Sequence, residues 1–141
     1  MVMFKYQRRV HVYETDLMGI VHHSNYIRYC EEARVQFFIE NEMLDTSNKA
    51  VFSLTVVDLK FKYLKPLRYG DNFYIHLQFK AHGARLFIQY KIFNSQAQIC
   101  VLAETTHCSL DENFKVLRLD QKLIQNLSEK YKESSWTETW L

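Results

Sequence analysis

The chain is 141 residues long, 48% hydrophobic and 24% charged, which suits one domain with a sizeable buried core. Its formal net charge of +2 is far below the clustered basic excess of a nucleic-acid-binding protein, so no nucleic-acid partner is expected. No apolar run approaches the roughly 20 residues that cross a bilayer, and the three cysteines form no C-x-x-C pair. Free thiols are typical of a reducing compartment, so we expect a cytoplasmic protein without an integral membrane segment.

The first part of the chain predicts a strand followed by a helix. Apolar and polar residues alternate from Phe4 to Val12, a pattern typical of a strand with one buried face. The alternation fails over residues 14–24, where turn-forming residues concentrate. Apolar residues then recur every three or four positions, which predicts an amphipathic helix of about 15 residues with Ser24 or Asn25 as its N-cap.

The middle of the chain predicts four more strands joined by short turns. Their alternating segments cover residues 53–64, 73–80, 86–93 and 99–110. Turn-forming residues separate them, and the last segment is apolar on both faces, as a central strand is.

The linking and terminal segments complete the predicted domain. Residues 41–51 are polar and irregular, and a short helical turn is compatible with them. Residues 119–132 predict a C-terminal helix, and residues 134–141 predict a tail. Antiparallel strands with segregated helices indicate an α+β domain over residues 1–133.

The loop between the first strand and the helix carries the most informative residues. Asp16 lies there, and Gly19 permits an unusual backbone turn. The first turn of a helix presents unpaired N–H groups at the positive end of its dipole. Such amides can stabilise an oxyanion on a carbonyl substrate while the carboxylate attacks it or activates water. Taken alone, an Asp close to a Gly is also a common turn residue.

The segment from Asp16 to Tyr26 resembles the signature D-x-x-G-x-V-x-[HY]-x-N-Y of the 4-hydroxybenzoyl-CoA thioesterase family. Within that family the chain is most similar to the Tol–Pal-associated acyl-CoA thioesterases. Glu31–Arg34, Tyr63–Asp71 and His107 match further family features, and the resemblance covers residues 5–118. Leu17 and Met18 depart from the smaller residues that usually follow the aspartate.

The resemblance implies a hotdog fold, in which a curved five-stranded antiparallel sheet wraps around the long central helix, with a C-terminal helix added. It implies hydrolysis of acyl-CoA to a free carboxylic acid and CoA, with no cofactor beyond the coenzyme A of the substrate and no metal. It also implies an edge-to-edge homodimer with the active site at the subunit boundary. Aromatic residues on outward-facing positions favour a homotetramer.

The resemblance also assigns roles to individual residues. Asp16 becomes the catalytic nucleophile or general base, and His23 becomes the catalytic residue whose amide stabilises the oxyanion. The substrate-binding residues would be Gly19, Val21, His22, Asn25 and Tyr26 around the thioester, with Lys62, Arg68 and Arg85 on the CoA phosphates.

Several alternatives accompany this reading. A hotdog hydratase or dehydratase would pair His23 with an acid, and a non-catalytic protein would only bind acyl-CoA. Because the acid precedes the helix in the chain, hydrolysis is favoured over hydration. Adjacent His22 and His23 invite a metal, but zinc sites need three or four ligands. Cys30 falls on the apolar stripe of the helix and is predicted to lie in the core.

Overall fold

The computed structural model describes residues 3–43 and 53–131. The strands in chain order are β1 (Phe4–Arg9), β2 (Ser53–Tyr63), β3 (Asn72–His82), β4 (Arg85–Asn94), β5 (Ile99–Leu110) and β6 (Val116–Leu117). The helices are α1 (His23–Glu40) and α2 (Gln121–Lys130), and a 3₁₀ helix covers Val12–Glu14.

The strands form one antiparallel sheet in the order β1-β3-β4-β5-β2, and β6 adds a short pairing to β5. β5 lies between β4 and β2, which confirms the prediction of a central strand. The predicted α+β architecture, with a long first helix and a C-terminal helix, is confirmed. No helix among the described residues is long and apolar enough to cross a bilayer.

The core lies between α1 and the face of the sheet that α1 covers. Alternate residues of β3 and β4 point to this face because side chains alternate along a strand. The buried members are Phe73, Ile75, Leu77, Phe79, Leu86, Ile88, Tyr90 and Ile92. Phe37 of α1 packs edge-on against Phe4 of β1 and tilted against Phe79 of β3, with ring centroids 5.2 and 5.9 Å apart. These contacts fix the C-terminal part of α1 against the sheet.

The structure corrects some local predictions. β1 ends at Arg9 because the chain turns into the 3₁₀ helix, so the strand is shorter than predicted. The predicted N-caps Ser24 and Asn25 are wrong, since α1 begins one residue after His22. Nδ1 of His22 accepts from the Ser24 amide at 3.3 Å, and the Asn25 side chain is used elsewhere.

The second helix and the tail complete the comparison with the sequence. α2 is confirmed with narrower bounds, and Asp120 caps it by accepting from the amides of Lys122 and Leu123. The predicted tail over residues 134–141 lies outside the described residues, as does most of the helical turn predicted over residues 41–51.

Candidate active site

The Asp16 carboxylate is held by a tight backbone loop. The Asp16 amide donates to the Ile20 carbonyl at 2.9 Å, and the Gly19 amide donates to the Asp16 carbonyl at 3.0 Å. Gly19 has φ of +76°, a conformation that side chains disfavour, which explains the glycine. The Met18 amide donates to Oδ1 of Asp16 at 2.8 Å. Oδ2 accepts no hydrogen bond from the described residues.

The loop is docked onto the connection between β2 and β3. The Val21 amide donates to the Leu67 carbonyl at 2.8 Å, and Ile20 forms an isolated antiparallel bridge with Arg68. The buried hydroxyl of Tyr26, in the first turn of α1, accepts from the Leu67 amide at 3.0 Å. The loop, the helix start and the β2–β3 connection therefore form one packed unit.

The N-terminus of α1 leaves an unpaired amide at this corner. The Ser24 amide donates to the His22 ring, and the Asn25 amide donates to the His22 carbonyl at 2.9 Å. The His23 amide has no acceptor among residues 3–43 and 53–131. Such a donor at the positive end of a helix suits a developing negative charge.

A cavity of about 320 Å³ opens between the loop and the end of β2. Its lining consists of Asp16, Ile20, Val21, His23, Tyr26, Tyr63, Leu64, Lys65 and Pro66. The cavity thus brings the carboxylate and the helix start to one space, with apolar walls on both sides.

Two tyrosines form one wall of the cavity. The rings of Tyr26 and Tyr63 lie 5.5 Å apart between centroids, and the Tyr63 hydroxyl donates to the His23 carbonyl at 3.2 Å. Burial raises the pKa of both phenols above the usual range, so both remain neutral at physiological pH. The wall is therefore uncharged and hydrogen-bonded to the helix start.

The predicted site residues divide by position. Gly19, Val21 and His22 belong to the loop and the helix cap, while Asn25 is buried and donates to the Glu14 carbonyl at 2.9 Å. Arg68 is exposed beside Ile20, close to the cavity.

The other two predicted phosphate ligands lie outside the cavity lining. Lys62 is exposed on β2. Arg85 starts β4 opposite Cys108, whereas the cavity lies at Tyr63, opposite Val101. Val101 and Cys108 are seven steps apart along β5, which at about 3.3 Å per step puts Arg85 roughly 20 Å from the cavity within one chain. The structure does not bring Arg85 to the site.

Other reactive side chains have structural surroundings. Cys30 is buried in the core as predicted, and burial raises the pKa of its thiol. Among the described residues, no three His, Cys, Asp or Glu side chains are grouped so that they could hold a metal ion. His76 is half-buried beside the rings of Tyr74 and Phe93.

Sequence reasoning assigned no role to the wall from Tyr63 to Pro66. One signal was present. Pro66 lies three residues after the end of β2, and a proline there predicts that the strand ends before it. That this end meets the start of α1 depends on the strand order, which the local pattern does not encode.

Comparisons with known proteins place this chain in a family. The chain matches the thioesterase-like superfamily over residues 10–127. A relative from Aquifex aeolicus (strain VF5) is 37% identical, covering 89% of this chain and 98% of the relative. The acyl-CoA thioesterase YbgC of Helicobacter pylori (strain ATCC 700392 / 26695) is 35% identical over 51% of this chain and 53% of its own length.

Solved structures share the fold. The 1,4-dihydroxy-2-naphthoyl-CoA thioesterase Slr0204 from Synechocystis superposes with a TM-score of 0.78 and 24% identity, covering 89% of this chain and 94% of that chain. SAV2348 from Staphylococcus aureus, solved in complex with CoA, superposes with a TM-score of 0.85 and 15% identity, covering 97% and 90%.

The antiparallel sheet, the long helix across it and these likenesses define a hotdog-fold thioester hydrolase. The chain belongs to the thioesterase-like superfamily.

Proposed function

We propose that the chain hydrolyses acyl-CoA to a free carboxylic acid and CoA, using Asp16 and the amide of His23. One observation carries the proposal: a carboxylate and an unpaired helix-terminal amide border the same cavity. The coenzyme A bound to SAV2348 and the acyl-CoA activity named for YbgC support the substrate class.

The reaction follows from the placement of these groups. The thioester carbonyl oxygen accepts a hydrogen bond from the His23 amide, which stabilises the negative charge that develops on it. In the nucleophilic route Asp16 attacks the carbonyl carbon, the C–S bond breaks, and CoA thiolate leaves and takes a proton. Water then opens the mixed anhydride and restores the carboxylate. In the general-base route Asp16 takes a proton from the water that attacks the carbonyl carbon directly. The tetrahedral intermediate then breaks its C–S bond, and CoA thiolate leaves and takes the proton from Asp16.

The hydrogen bond from Met18 suits either route. It occupies Oδ1 and leaves Oδ2 without a hydrogen bond from the described residues, and Asp16 borders the cavity. A single turnover in isotopically labelled water tests the nucleophilic route. Label in the Asp16 carboxylate shows that a mixed anhydride formed and that water opened it at the Asp16 carbon, whereas an unlabelled carboxylate fits general base catalysis or opening of the anhydride at the acyl carbon.

The central test is Asp16→Asn. The amide oxygen still accepts from the Met18 amide, so we expect the loop to keep its conformation. We expect kcat for thiol release to fall by about 10³-fold or more, since both the nucleophile and the charge are removed. Asp111→Asn is the matched control, because Oδ1 of Asp111 also accepts backbone amides in a turn and Asp111 does not border the cavity. Near-normal turnover by Asp16→Asn would refute the proposal.

We also propose that a second copy of the chain pairs along β2. β2 is an edge strand, and Val56, Val57, Leu59, Tyr63 and the following Leu64 are between 41% and 49% exposed. Unpaired edges with apolar side chains favour association. Since Tyr63 and Leu64 also border the cavity, the dimer would place the site at the subunit boundary. A monomeric mass in sedimentation velocity would contradict this assembly. The tetramer stays a prediction.

A further inference from the structure

A nearly buried ionic network lies behind the Asp16 loop. Nη2 of Arg8 contacts Oε1 of Glu14 at 2.7 Å, and Nη1 contacts both carboxylate oxygens of Glu32 at 2.9 Å. The side chains of Arg8 and Glu14 are 12% and 7% exposed, whereas that of Glu32 is 41% exposed. One guanidinium therefore joins a buried carboxylate next to the loop with a solvated one on α1.

Glu14 contacts the 3₁₀ helix before the loop and the start of α1 after it. Its Oε1 also accepts from the His11 amide at 2.8 Å, which holds the 3₁₀ helix. Its carbonyl oxygen accepts from the His22 amide at 3.0 Å and from the Asn25 side chain at 2.9 Å, which holds the start of α1. Asp16 follows two residues later, and Thr15 between them pairs with Val21.

The surroundings make the charge on Glu14 hard to compensate without Arg8. The guanidinium lies over the Tyr29 ring at 4.6 Å, so aromatic rings rather than water enclose it. The Tyr29 hydroxyl is buried and has no hydrogen-bond partner among the described residues. The pKa of this hydroxyl is raised first by burial and then by the negative charge of Glu14. Removing one partner of such a buried pair leaves the other uncompensated.

We propose that Glu14 is a positioning residue that sets the placement of the Asp16 carboxylate relative to the His23 amide. The proposal rests on the hydrolysis assigned to this site above. Its carbonyl fixes the helix start, its carboxylate fixes the chain before the loop, and Arg8 anchors both to β1. A misplacement of about 1 Å between reacting groups can lower a rate by about 10²-fold, so the loss of this anchor reaches the chemistry without any contact to the substrate.

The test substitutes, one at a time, the two carboxylates that contact the Arg8 guanidinium. Glu14→Gln keeps an oxygen for the His11 amide but loses the ion pair, and we expect kcat to fall by about 10²-fold with KM changed by less than about 3-fold. Glu32→Gln is the matched control. It removes the other carboxylate of Arg8 and none of the loop contacts, so we expect kcat within about 3-fold of the unaltered chain. Unfolding midpoints of both variants show that each is folded at the assay temperature.

Arg8→Lys provides a second variant in case Glu14→Gln does not fold. Its ammonium keeps a positive charge near Glu14 but does not reproduce the guanidinium geometry of the contact between Nη2 and Oε1 of Glu14. We expect a folded protein with kcat lowered by about 10-fold and KM unchanged. A partial loss of kcat in this conservative variant would indicate a positioning role.

Three outcomes overturn the proposal. Glu14→Gln could retain kcat within about 3-fold, both glutamine variants could lose kcat equally, or a folded Arg8→Lys could keep full turnover. If the unaltered chain itself releases no thiol from acyl-CoA, the proposed function fails and the positioning role falls with it. If the unaltered chain is active and Glu14→Gln is equally active, only the positioning role is refuted.

Discussion

The two tyrosines of the cavity wall allow a matched test of how the site is held together. Tyr26→Phe and Tyr63→Phe each remove one hydroxyl from rings that pack against each other. The Tyr26 hydroxyl accepts from the Leu67 amide, and Leu67 is fully buried. The Tyr63 hydroxyl donates to the His23 carbonyl in an exposed position. The chemical change is the same, and only the burial of the group left behind differs.

The expected losses follow from that difference. Tyr26→Phe leaves a buried N–H without an acceptor, which costs about 1–3 kcal/mol of the free energy of unfolding. Tyr63→Phe leaves a carbonyl that water can reach, so the loss is about 0.5 kcal/mol. For a domain of this length 1 kcal/mol corresponds to about 4 °C, which predicts a melting temperature lower by about 4–12 °C for Tyr26→Phe and by about 2 °C for Tyr63→Phe.

Urea titration followed by far-ultraviolet circular dichroism measures both losses. The dependence of the free energy on urea should be the same in all three proteins, because neither substitution alters the surface exposed on unfolding. Equal losses in the two variants would refute the argument that the buried Leu67 amide depends on Tyr26. A loss below about 0.5 kcal/mol for Tyr26→Phe would refute it as well.

Two further predictions concern pH and the loop. Burial, and then the charge of Arg34, lower the pKa of His107 to about 4. Between about pH 6.5 and 4 the unfolded chain protonates this histidine while the folded chain keeps it neutral. The free energy of unfolding therefore falls as the pH is lowered through this range, by up to about 3 kcal/mol. Urea titrations at pH 7 and 5 measure how much unfolding free energy is lost on acidification, and His107→Gln should reduce that loss. His82→Gln, at an exposed position, should leave the loss unchanged. An unchanged loss in His107→Gln would contradict the lowered pKa of His107. Gly19→Ala and Gly83→Ala both force a side chain into a positive-φ position with open space around it, and each should lower stability by about 1 kcal/mol. Only Gly19→Ala should also lower kcat for thiol release, and equal turnover in the two variants would contradict the role of the loop.

Local chemistry determined most of the elements that sequence reasoning found. β5 begins and ends where its two-sided apolar pattern begins and ends, because a strand between two neighbours is buried on both faces. Gly83 forms the turn between β3 and β4 because only glycine adopts its positive φ readily. These features depend on neighbours in the chain, and so the sequence is sufficient to predict them.

The features that sequence reasoning missed depend on distant parts of the chain. Serine is the preferred helix cap, yet His22 takes that position because its backbone amide is held by the Glu14 carbonyl and its ring accepts from Ser24. Tyr63 joins the cavity because β2 lies beside β5 rather than β3, which no residue pattern in β2 predicts. The sequence around Glu14 gives no sign of its ion pair with Arg8, which depends on the path of the chain between them.

The two interpretations of Asp16 that the sequence left open turn out to be compatible. Asp16 is a turn residue, since its Oδ1 accepts from Met18 and its carbonyl accepts from Gly19. A free carboxylate on a loop samples many orientations, and ordering it in the transition state lowers the rate. The turn removes that freedom before substrate arrives, because one oxygen is fixed to the backbone. Under the proposed function, the same hydrogen bond that makes Asp16 resemble a structural residue is what prepares its other oxygen for chemistry.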